Sequence, residues 1–462
     1  MSTPRQPVRP RHPIDRRGAL RLLTLSALAV TAAAPLAACG SESGGARHEG
    51  SYEPMPGGVD VEPVAADVPR ADGDADAVSD VVAALRSTGG ALLGLLGEQP
   101  GNLAISPYSV LVALALTLNG ARGATLEQLL GLYDGLDVGR LNGGLNALTA
   151  EVEGQTGEVE KADGTPTELV LDAANGLFGQ RGTAWEQAFL DVLAAQYGAA
   201  LQTVDWAGDT EAARQAVNAW TAERTRDKIP EILPAGAVDA LTRLVLVNTL
   251  YLEAPWERPF SAGLTEDADF TRPDGSTVGV PMMRSAEPVD VAWSRGEGWQ
   301  AVRLPYAGGT TAMTVVLPDA GRLADVQADV AAGGLTRYLE AGTTEPVDVR
   351  MPSFTFRTGA GLVEPLRRLG VTDAFDEGRA DLTGMTTEER LFVSGVLHQV
   401  FVAVDEEGTE AAAATAVAVG ATSAPAAPRP FTVDRPFLFV VHDVEHGTPL
   451  FLGRVDDPTA GE

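Results

Sequence analysis

Residues 405–423 read DEEGTEAAAATAVAVGATS, three acidic residues and a glycine followed by Thr-Glu and a run of small side chains. From 408 to 423 there is no proline and no aromatic residue, and Glu410 is the only charge. Because proline cannot donate to a β-ladder, its absence leaves this whole stretch able to join a sheet. In a strand, alternate side chains share a face, and one face here is small and apolar: Thr409, Ala411, Ala413, Thr415, Val417 and Val419. The pattern therefore predicts a segment that can insert as a strand beneath a packed layer.

Composition alone leaves two other interpretations of this run open. The four alanines at 411–414 favour a helix, and the Ala/Ser/Pro content up to 430 is typical of a linker. A membrane span is disfavoured because Thr, Gly and Ser interrupt the run and bulky apolar residues are few. The neighbouring sequence has to decide between these alternatives.

The overall composition predicts a globular protein without enzymatic chemistry. The 462 residues are 45% apolar and 21% charged, and the net charge of -29 argues against nucleic acid or anionic lipid as a partner. Five histidines, no Gly-x-Ser-x-Gly and no His-Glu-x-x-His leave no hydrolase or zinc motif. His442 and His446 have a spacing that binds metal on a helix, but they fall in a predicted hairpin turn, which we expect to be solvated. We expect no metal and no cofactor.

The N-terminus has the features of an export signal. Residues 1–38 contain Arg16-Arg17 and an apolar run at 22–36, which predicts a signal peptide. Leu36-Ala37-Ala38-Cys39 resembles the bacterial lipobox, so we expect lipidation of Cys39, the single cysteine of the chain; an ordinary cysteine near a cleavage site is the alternative. Residues 39–74 are rich in Gly, Pro and acidic residues and predict a flexible tether. The expected location is extracytoplasmic, either lipid-anchored to the outer face of the cell membrane or secreted.

Residues 75–462 contain no further linker before the loop near 411–430 and are expected to form one domain. Apolar periodicity predicts helices early in the chain, including one that Ser106 caps and one with a Thr125/Gln128 capping box. Strands dominate later, and the continuous apolar run at 244–252 predicts a strand covered on both faces. Helices first and strands later predict the α+β class with several sheets.

Four motifs in a fixed order decide the interpretation of the alanine run. They are NLAISPYS at 102–109, LVNTLYL followed by WERPF between 246 and 260, FTVDRPFLF at 431–439 and PLFLGRV at 449–455. Together with the glycine hinge, they resemble the serpin family of serine protease inhibitors over 75–458. The resemblance implies helices around three β-sheets with an exposed reactive loop. It also implies inhibition by loop cleavage, acyl-enzyme trapping and insertion of the loop into the central sheet; the alternative is a non-inhibitory serpin-fold binding protein.

The resemblance also assigns roles to individual residues. It places a hinge at Glu407, Gly408, Thr409, Glu410, Ala411 and Ala412, where the glycine is expected to permit a reversal of chain direction. It places the reactive bond at Thr422-Ser423, with Ala421-Thr422 one residue away. It assigns a sheet-opening cluster to Ser106, Ser109, Asn248 and His398, with Trp256 near the top of the sheet.

The residues around the reactive bond indicate the class of target. A small residue before the cut fits serine proteases with a shallow primary pocket, of the elastase or subtilisin kind. Arg429 is the nearest basic residue and lies among prolines, which makes a trypsin-like target a weaker expectation. We expect a monomer that contacts a membrane only through its N-terminal lipid.

Overall fold

The computed structural model describes residues 61–340, 342–410 and 427–461. The predicted signal peptide, Cys39, most of the tether, and the loop residues Ala411, Ala412, Ala421, Thr422 and Ser423 lie outside the described residues.

The helices gather mainly in the first half of the chain. Ser106 begins the second helix as predicted, because its hydroxyl oxygen accepts the Ser109 N–H at 3.1 Å and Pro107 follows at the first helical position. The helices of the described residues are α1 (Val78–Leu96), α2 (Pro107–Gly120), α3 (Gly123–Leu130), α4 (Val138–Glu153), α5 (Gln187–Tyr197), α6 (Thr210–Arg224), α7 (Leu323–Asp329), α8 (Leu335–Leu339) and α9 (Val363–Arg368). Short 3-10 turns lie at Ala75–Ala77, Gly131–Tyr133, Ala262–Leu264 and Asp373–Phe375, and a π turn at Val330–Gly334.

The strands of the described residues belong to two hydrogen-bonded networks. They are β1 (Glu62–Val64), β2 (Leu103–Ile105), β3 (Gly157–Glu160), β4 (Pro166–Gln180), β5 (Leu201–Val204), β6 (Leu244–Pro255), β7 (Glu266–Thr271), β8 (Thr277–Arg284), β9 (Val289–Gly296), β10 (Trp299–Pro305), β11 (Thr311–Pro318), β12 (Thr343–Pro352), β13 (Phe354–Gly361), β14 (Gly395–Val404), β15 (Gly408–Thr409), β16 (Arg429–Thr432), β17 (Phe437–Asp443) and β18 (Pro449–Val455). The central sheet has the order β1-β5-β4-β6-β15-β14-β13, with β3 added to β4.

The second network has the order β2-β18-β17-β11-β10-β9-β12-β8-β7, with β16 paired to β12. One half of β12 pairs with β9 and the other half with β8, so a single strand is shared between two sheets. The α+β class predicted from the sequence is confirmed.

Layers of apolar side chains cover both faces of the central sheet. On one face α2 packs in the main core with Leu246 and Leu250 of β6. On the other face Val217 and Trp220 of α6 cluster with Val245 and its neighbours. A strand that enters this sheet therefore passes between two packed layers, where only small side chains fit without overpacking.

Two predictions about local structure are wrong. Residues 61–74 are not a free tether, because β1 pairs with β5 and Arg70 forms an ion pair with Glu153 at 2.7 Å. The Thr125/Gln128 pair is not a capping box, since α3 begins at Gly123. Both side chains instead accept main-chain N–H groups from the segment 372–381, which lies far away in sequence.

Candidate functional site: the hinge and the sheet it enters

The first residues of the predicted insertable segment are already strand β15 of the central sheet. Gly408 pairs with Pro255 and Thr409 with Ala254 on β6, and Thr409 also pairs with Val404 on β14. All of these pairings are antiparallel. The segment that leads to the reactive loop thus enters the sheet between two strands that run parallel to each other.

Gly408 is required here by close packing and not by an unusual backbone angle. A Cβ at this position would lie 2.3 Å from the carbonyl oxygen of Ala254 and 2.7 Å from the Cα of Pro255. The left-handed conformation belongs to Glu410, whose φ is 54°. The expectation that the glycine reverses the chain direction is therefore corrected: Gly408 allows two backbones to approach, and the bend lies two residues later.

Thr409 is held by an aromatic pair. Its hydroxyl lies 2.7 Å from the hydroxyl of Tyr306, and both side chains are buried. The Tyr306 ring stacks on Trp256 with 4.5 Å between centroids and 6° between planes. Burial raises the pKa of Tyr306, so the phenol is neutral and able to donate at physiological pH. Thr409 is small and uncharged, so it fits this buried site.

The segment 256–260 fixes the acidic residues that precede the hinge. The Trp256 indole N–H donates to the Asp405 carbonyl at 3.0 Å, and its main-chain N–H donates to the Glu407 carbonyl at 2.8 Å. The Phe260 N–H donates to the Glu406 carbonyl at 2.8 Å. Trp256 therefore lies directly after β6 and contacts the hinge through the carbonyls of Asp405 and Glu407.

The acidic turn is closed by its own first carboxylate. One oxygen of Asp405 accepts the N–H groups of Glu407 at 2.9 Å and Gly408 at 3.1 Å. Burial raises the pKa of Asp405 and that of Glu407, against the hydrogen bonds in the first case and the Lys161 charge in the second. The carboxylates of Asp405 and Glu407 are therefore partly desolvated, directly before the chain enters β15.

The carboxylate of Glu410, directly after β15, is paired with one of the two lysines of the chain. The Glu410 side chain is 6% exposed, and its carboxylate lies 3.1 Å from the Lys228 ammonium. Lys228 is 43% exposed and follows α6, the helix that covers this face of the sheet. Burial and the neighbouring Glu410 carboxylate both raise the pKa of Tyr251. The ion pair therefore connects the hinge to the helical layer above it.

The four polar residues predicted beneath the sheet do meet in one buried network. The Ser106 N–H donates to His398 Nε2 at 2.9 Å, so the proton of the neutral ring is on Nδ1 and is donated to Asn248 Oδ1 at 2.5 Å. The Ser109 hydroxyl is 2.6 Å from Asn175 Oδ1 and 3.2 Å from the Thr249 carbonyl. Burial lowers the pKa of His398 to about 4, which keeps the ring neutral.

This network lies where the two central strands are still paired. The parallel ladder between β6 and β14 runs from Val245↔Gly395 to Asn248↔His398. Higher up, Gly408 and Thr409 lie between the same two strands, and the Glu410 N–H donates to the Ala403 carbonyl at 3.1 Å. The Asn248–His398 contact therefore closes the paired end of the sheet, and the hinge occupies the parted end.

Sequence reasoning missed three partners of these residues: Tyr306, Lys228 and Asn175. Each lies on an element distant in sequence, and no local motif marks it. Another expectation was wrong: His442 is not in a solvated turn but is a buried residue of β17. Its Nε2 lies 2.8 Å from the Thr314 hydroxyl, and burial lowers its pKa to about 4.

The combination of a three-sheet α+β fold and a hinge at the top of the central sheet defines one class of protein. The family model described as "Serpin (serine protease inhibitor)" matches residues 85–458. This chain belongs to the serpin family, and the fold implied by the sequence motifs is confirmed.

Individual relatives agree with this assignment. The chain is 36% identical to a leukocyte elastase inhibitor of Bos taurus over 368 residues, which is 78% of this chain and 93% of that protein. It is 36% identical to serpin B8 of Homo sapiens over 376 residues, covering 79% and 96%. The crystal structure of the thermophilic serpin tengpin in its native state matches with a TM-score of 0.75 at 24% identity, covering 86% of this chain and all of that one.

Proposed function

We propose that this protein inhibits serine proteases as a suicide substrate. A protease cleaves the loop at Thr422-Ser423, or one residue earlier, and the released N-terminal part of the loop inserts into the central sheet. The acylated protease is carried along with the loop before its ester is hydrolysed. The names of the elastase inhibitors related to this chain support a serine protease as the partner.

The observation that carries the proposal is the position of the hinge. Gly408 and Thr409 already pair with β6, Thr409 also pairs with β14, and the sequence from 411 onward keeps small residues at alternate positions. Insertion only has to extend a strand that has started. Extension cannot proceed far while the far end of the loop is attached, because Arg429 is fixed in β16 by its pairing with Val347.

The energetic gain comes from backbone pairing and burial. A strand inserted between β6 and β14 forms an antiparallel ladder on each side, and each ladder hydrogen bond contributes a net stabilisation of about 1 kcal/mol. The alanines and valines leave water without overpacking the two layers that cover the sheet. Cleavage should therefore convert a less stable chain into a more stable one.

We further propose that the target has a shallow primary pocket, as elastase-like and subtilisin-like proteases do, because Thr422 and Ala421 are small. We propose an extracytoplasmic location with a lipid on Cys39, on the basis of the sequence at 36–39.

The test is incubation of the full chain with an elastase-like and a subtilisin-like serine protease. We expect an adduct that survives boiling in detergent, a mass that places the cut after Thr422 or Ala421, and a higher melting temperature of the cleaved chain. Cleavage at 419–423 without an adduct and without a rise in melting temperature would instead identify a non-inhibitory member of the fold.

A further inference from the structure

An open cleft of about 410 Å³ lies beside Arg429, the residue with which β16 begins. It is formed mainly by the end of the β9–β10 hairpin and by the first residues of β16. The side chains that line it include two tryptophans and two arginines: Trp293, Arg295, Trp299, Gln300, Asp319 and Arg429. Tryptophan and arginine are among the residue types that carry most of the binding energy in protein interfaces, so this composition indicates a docking surface for another protein.

One part of the cleft is fixed before any partner arrives. The guanidinium carbon of Arg429 lies 3.8 Å from the centroid of the Trp293 ring. Nε and Nη2 of the same group donate to the two carboxylate oxygens of Glu345 at 2.7 and 3.1 Å. The stacking and the paired hydrogen bonds hold the planar group in one orientation. A partner therefore meets side chains that have already lost their rotamer freedom, which lowers the entropic cost of docking.

The cleft also contains a cation without an anionic partner. Arg295 is exposed, and its guanidinium carbon lies 5.8 Å from the centroid of the Trp293 ring. It has no hydrogen bond and no ion pair among the residues that the structure describes, although the chain has 63 acidic residues against 34 basic ones. A guanidinium forms its strongest hydrogen bonds with a carboxylate. Arg295, with Gln300 directly opposite it in the β9–β10 ladder, therefore offers donors to a carboxylate of the docked protein.

The position of the cleft identifies the protein that can reach it. Arg429 is six residues after Ser423, and a chain of that length spans at most about 22 Å. A globular protease of about 250 residues has a radius of gyration of about 18 Å and is therefore about 45 Å across. A protease seated on the Thr422-Ser423 bond is thus large enough to contact the cleft without leaving the bond.

We propose that this cleft is an accessory docking site for the target protease. An exposed carboxylate beside the active site of the protease pairs with Arg295, and apolar side chains around that carboxylate lie against Trp293 and Trp299. The contact acts before cleavage, because it holds the protease on the loop. The identity of the partner rests on the proposed function, whereas the contact itself does not require that the protease be trapped.

Binding without chemistry tests the docking. An elastase-like serine protease whose nucleophilic serine is replaced by alanine can bind the full chain but cannot be acylated, so its dissociation constant measures docking alone. We expect Arg295→Ala to raise this constant at least about fivefold, and Arg295→Glu to raise it further by repelling the partner carboxylate. An unchanged constant for Arg295→Ala would overturn the proposal. Tighter binding by Arg295→Glu would overturn it too, because the protease would then present a cation to the cleft.

A second exposed arginine provides the matched control. Arg390 also lacks a hydrogen bond and an ion pair within the described ranges, and it does not line the cleft. It follows Glu389, whose carboxylate lies 3.6 Å from Arg243 at the start of β6, whereas the hinge pairs with the end of that strand. Arg390→Ala removes the same charge and should leave the dissociation constant unchanged. A loss equal to that of Arg295→Ala would point to net charge instead of the cleft and would overturn the proposal.

The active protease separates docking from trapping. Arg295→Ala should lower the second-order rate of adduct formation by about the factor by which it weakens docking. The ratio of adduct to cleaved chain should stay unchanged, because that ratio is decided after cleavage. Absence of any adduct with the parent chain would count against the proposed function, and the dissociation constants would still decide whether the cleft docks a protease. A changed ratio with an unchanged dissociation constant would place Arg295 in loop insertion and overturn the proposal.

A second copy of this chain is the competing occupant of the cleft. Sedimentation velocity over a range of concentrations should show a monomer for both the parent chain and Arg295→Ala. A dimer of the parent chain that Arg295→Ala dissociates would assign the cleft to self-association and would overturn the proposal.

Discussion

The hydroxyl groups of Thr409 and Tyr306 lie 2.7 Å apart in the interior, although 103 positions separate the two residues. Thr409 belongs to the segment that enters the central sheet, and Tyr306 follows β10 of the other network. This one hydrogen bond therefore connects the hinge strand β15 of the central sheet to the second network of strands. It also explains why a residue with a hydroxyl group suits position 409.

Tyr306→Phe is expected to loosen the hinge without damaging the core. The ring can still stack on Trp256, but the Thr409 hydroxyl loses its partner in a buried position, which costs about 1–3 kcal/mol. Hydrogen exchange at the amides of Thr409 and Glu410 should become faster. In a Thr409→Val background the same substitution should have little further effect; an undiminished effect there would contradict the role given to the hydroxyl pair.

Thr409→Arg is expected to convert an inhibitor into a substrate. Thr409 is 4% exposed between two strands, so an arginine there would bury a charge and overpack the site. Gel analysis after incubation with protease should show cleaved chain in place of adduct, while the uncut variant melts as a folded protein. Thr409→Ser, which keeps the hydroxyl and the small volume, should still form the adduct. Efficient trapping by Thr409→Arg would disprove insertion through this position.

Lys228→Met is expected to release Glu410 from the sheet. The substitution leaves a nearly buried carboxylate without its cation, and because Lys228 is itself about half exposed the loss is on the order of 1 kcal/mol. Exchange at the Glu410 amide, which donates to Ala403, should rise. Lys228→Arg should preserve protection. Lys161→Met removes the same charge from the β3–β4 hairpin and should change this amide much less; equal effects of the two methionine variants would point to net charge instead of the pair.

His398 should make stability fall on mild acidification. Burial lowers the pKa of His398 to about 4 in the folded chain from an ordinary value of 6.5, so between these values the unfolded chain binds the extra proton. The contribution of the neutral His398 ring to the free energy of unfolding is fully present above pH 6.5 and is lost as the pH falls towards 4. It amounts to on the order of 3 kcal/mol. The free energy of unfolding, measured by denaturant titration, should differ less between pH 7 and pH 4.5 for His398→Gln than for the parent chain.

The same residue should control opening of the sheet. Protonation would place a donor on Nε2 opposite the Ser106 N–H and break that hydrogen bond. His398→Ala should therefore increase premature loop insertion or polymerisation, measured by native gels during mild heating. His442→Gln is the control, because burial also lowers the pKa of His442 to about 4, but His442 lies in β17 of the other network, where it pairs with β11 and β18. An unchanged polymerisation rate in His398→Ala would remove this residue from the mechanism.

Local sequence was sufficient to predict the elements that depend on local rules. The Ser106-Pro107 helix start and the doubly covered strand at 244–252 follow from capping and continuous apolarity. The strand predicted from the alternating small residues after 410 stays a prediction. The ordered motifs also placed Asn248 and His398 in one network, and the contact between them is present.

Only the tertiary structure decided how those elements are held. The partners of the hinge, Tyr306 and Lys228, come from distant segments, and the need for glycine at 408 arises from the approach of Ala254 and not from its own φ. The same reason explains why the predicted capping box at Thr125 and the predicted solvated turn at His442 were wrong. Both side chains form hydrogen bonds with elements far along the chain. Propensity and periodicity act over a few residues, whereas burial and hydrogen-bond partners are set by which distant backbones pack together.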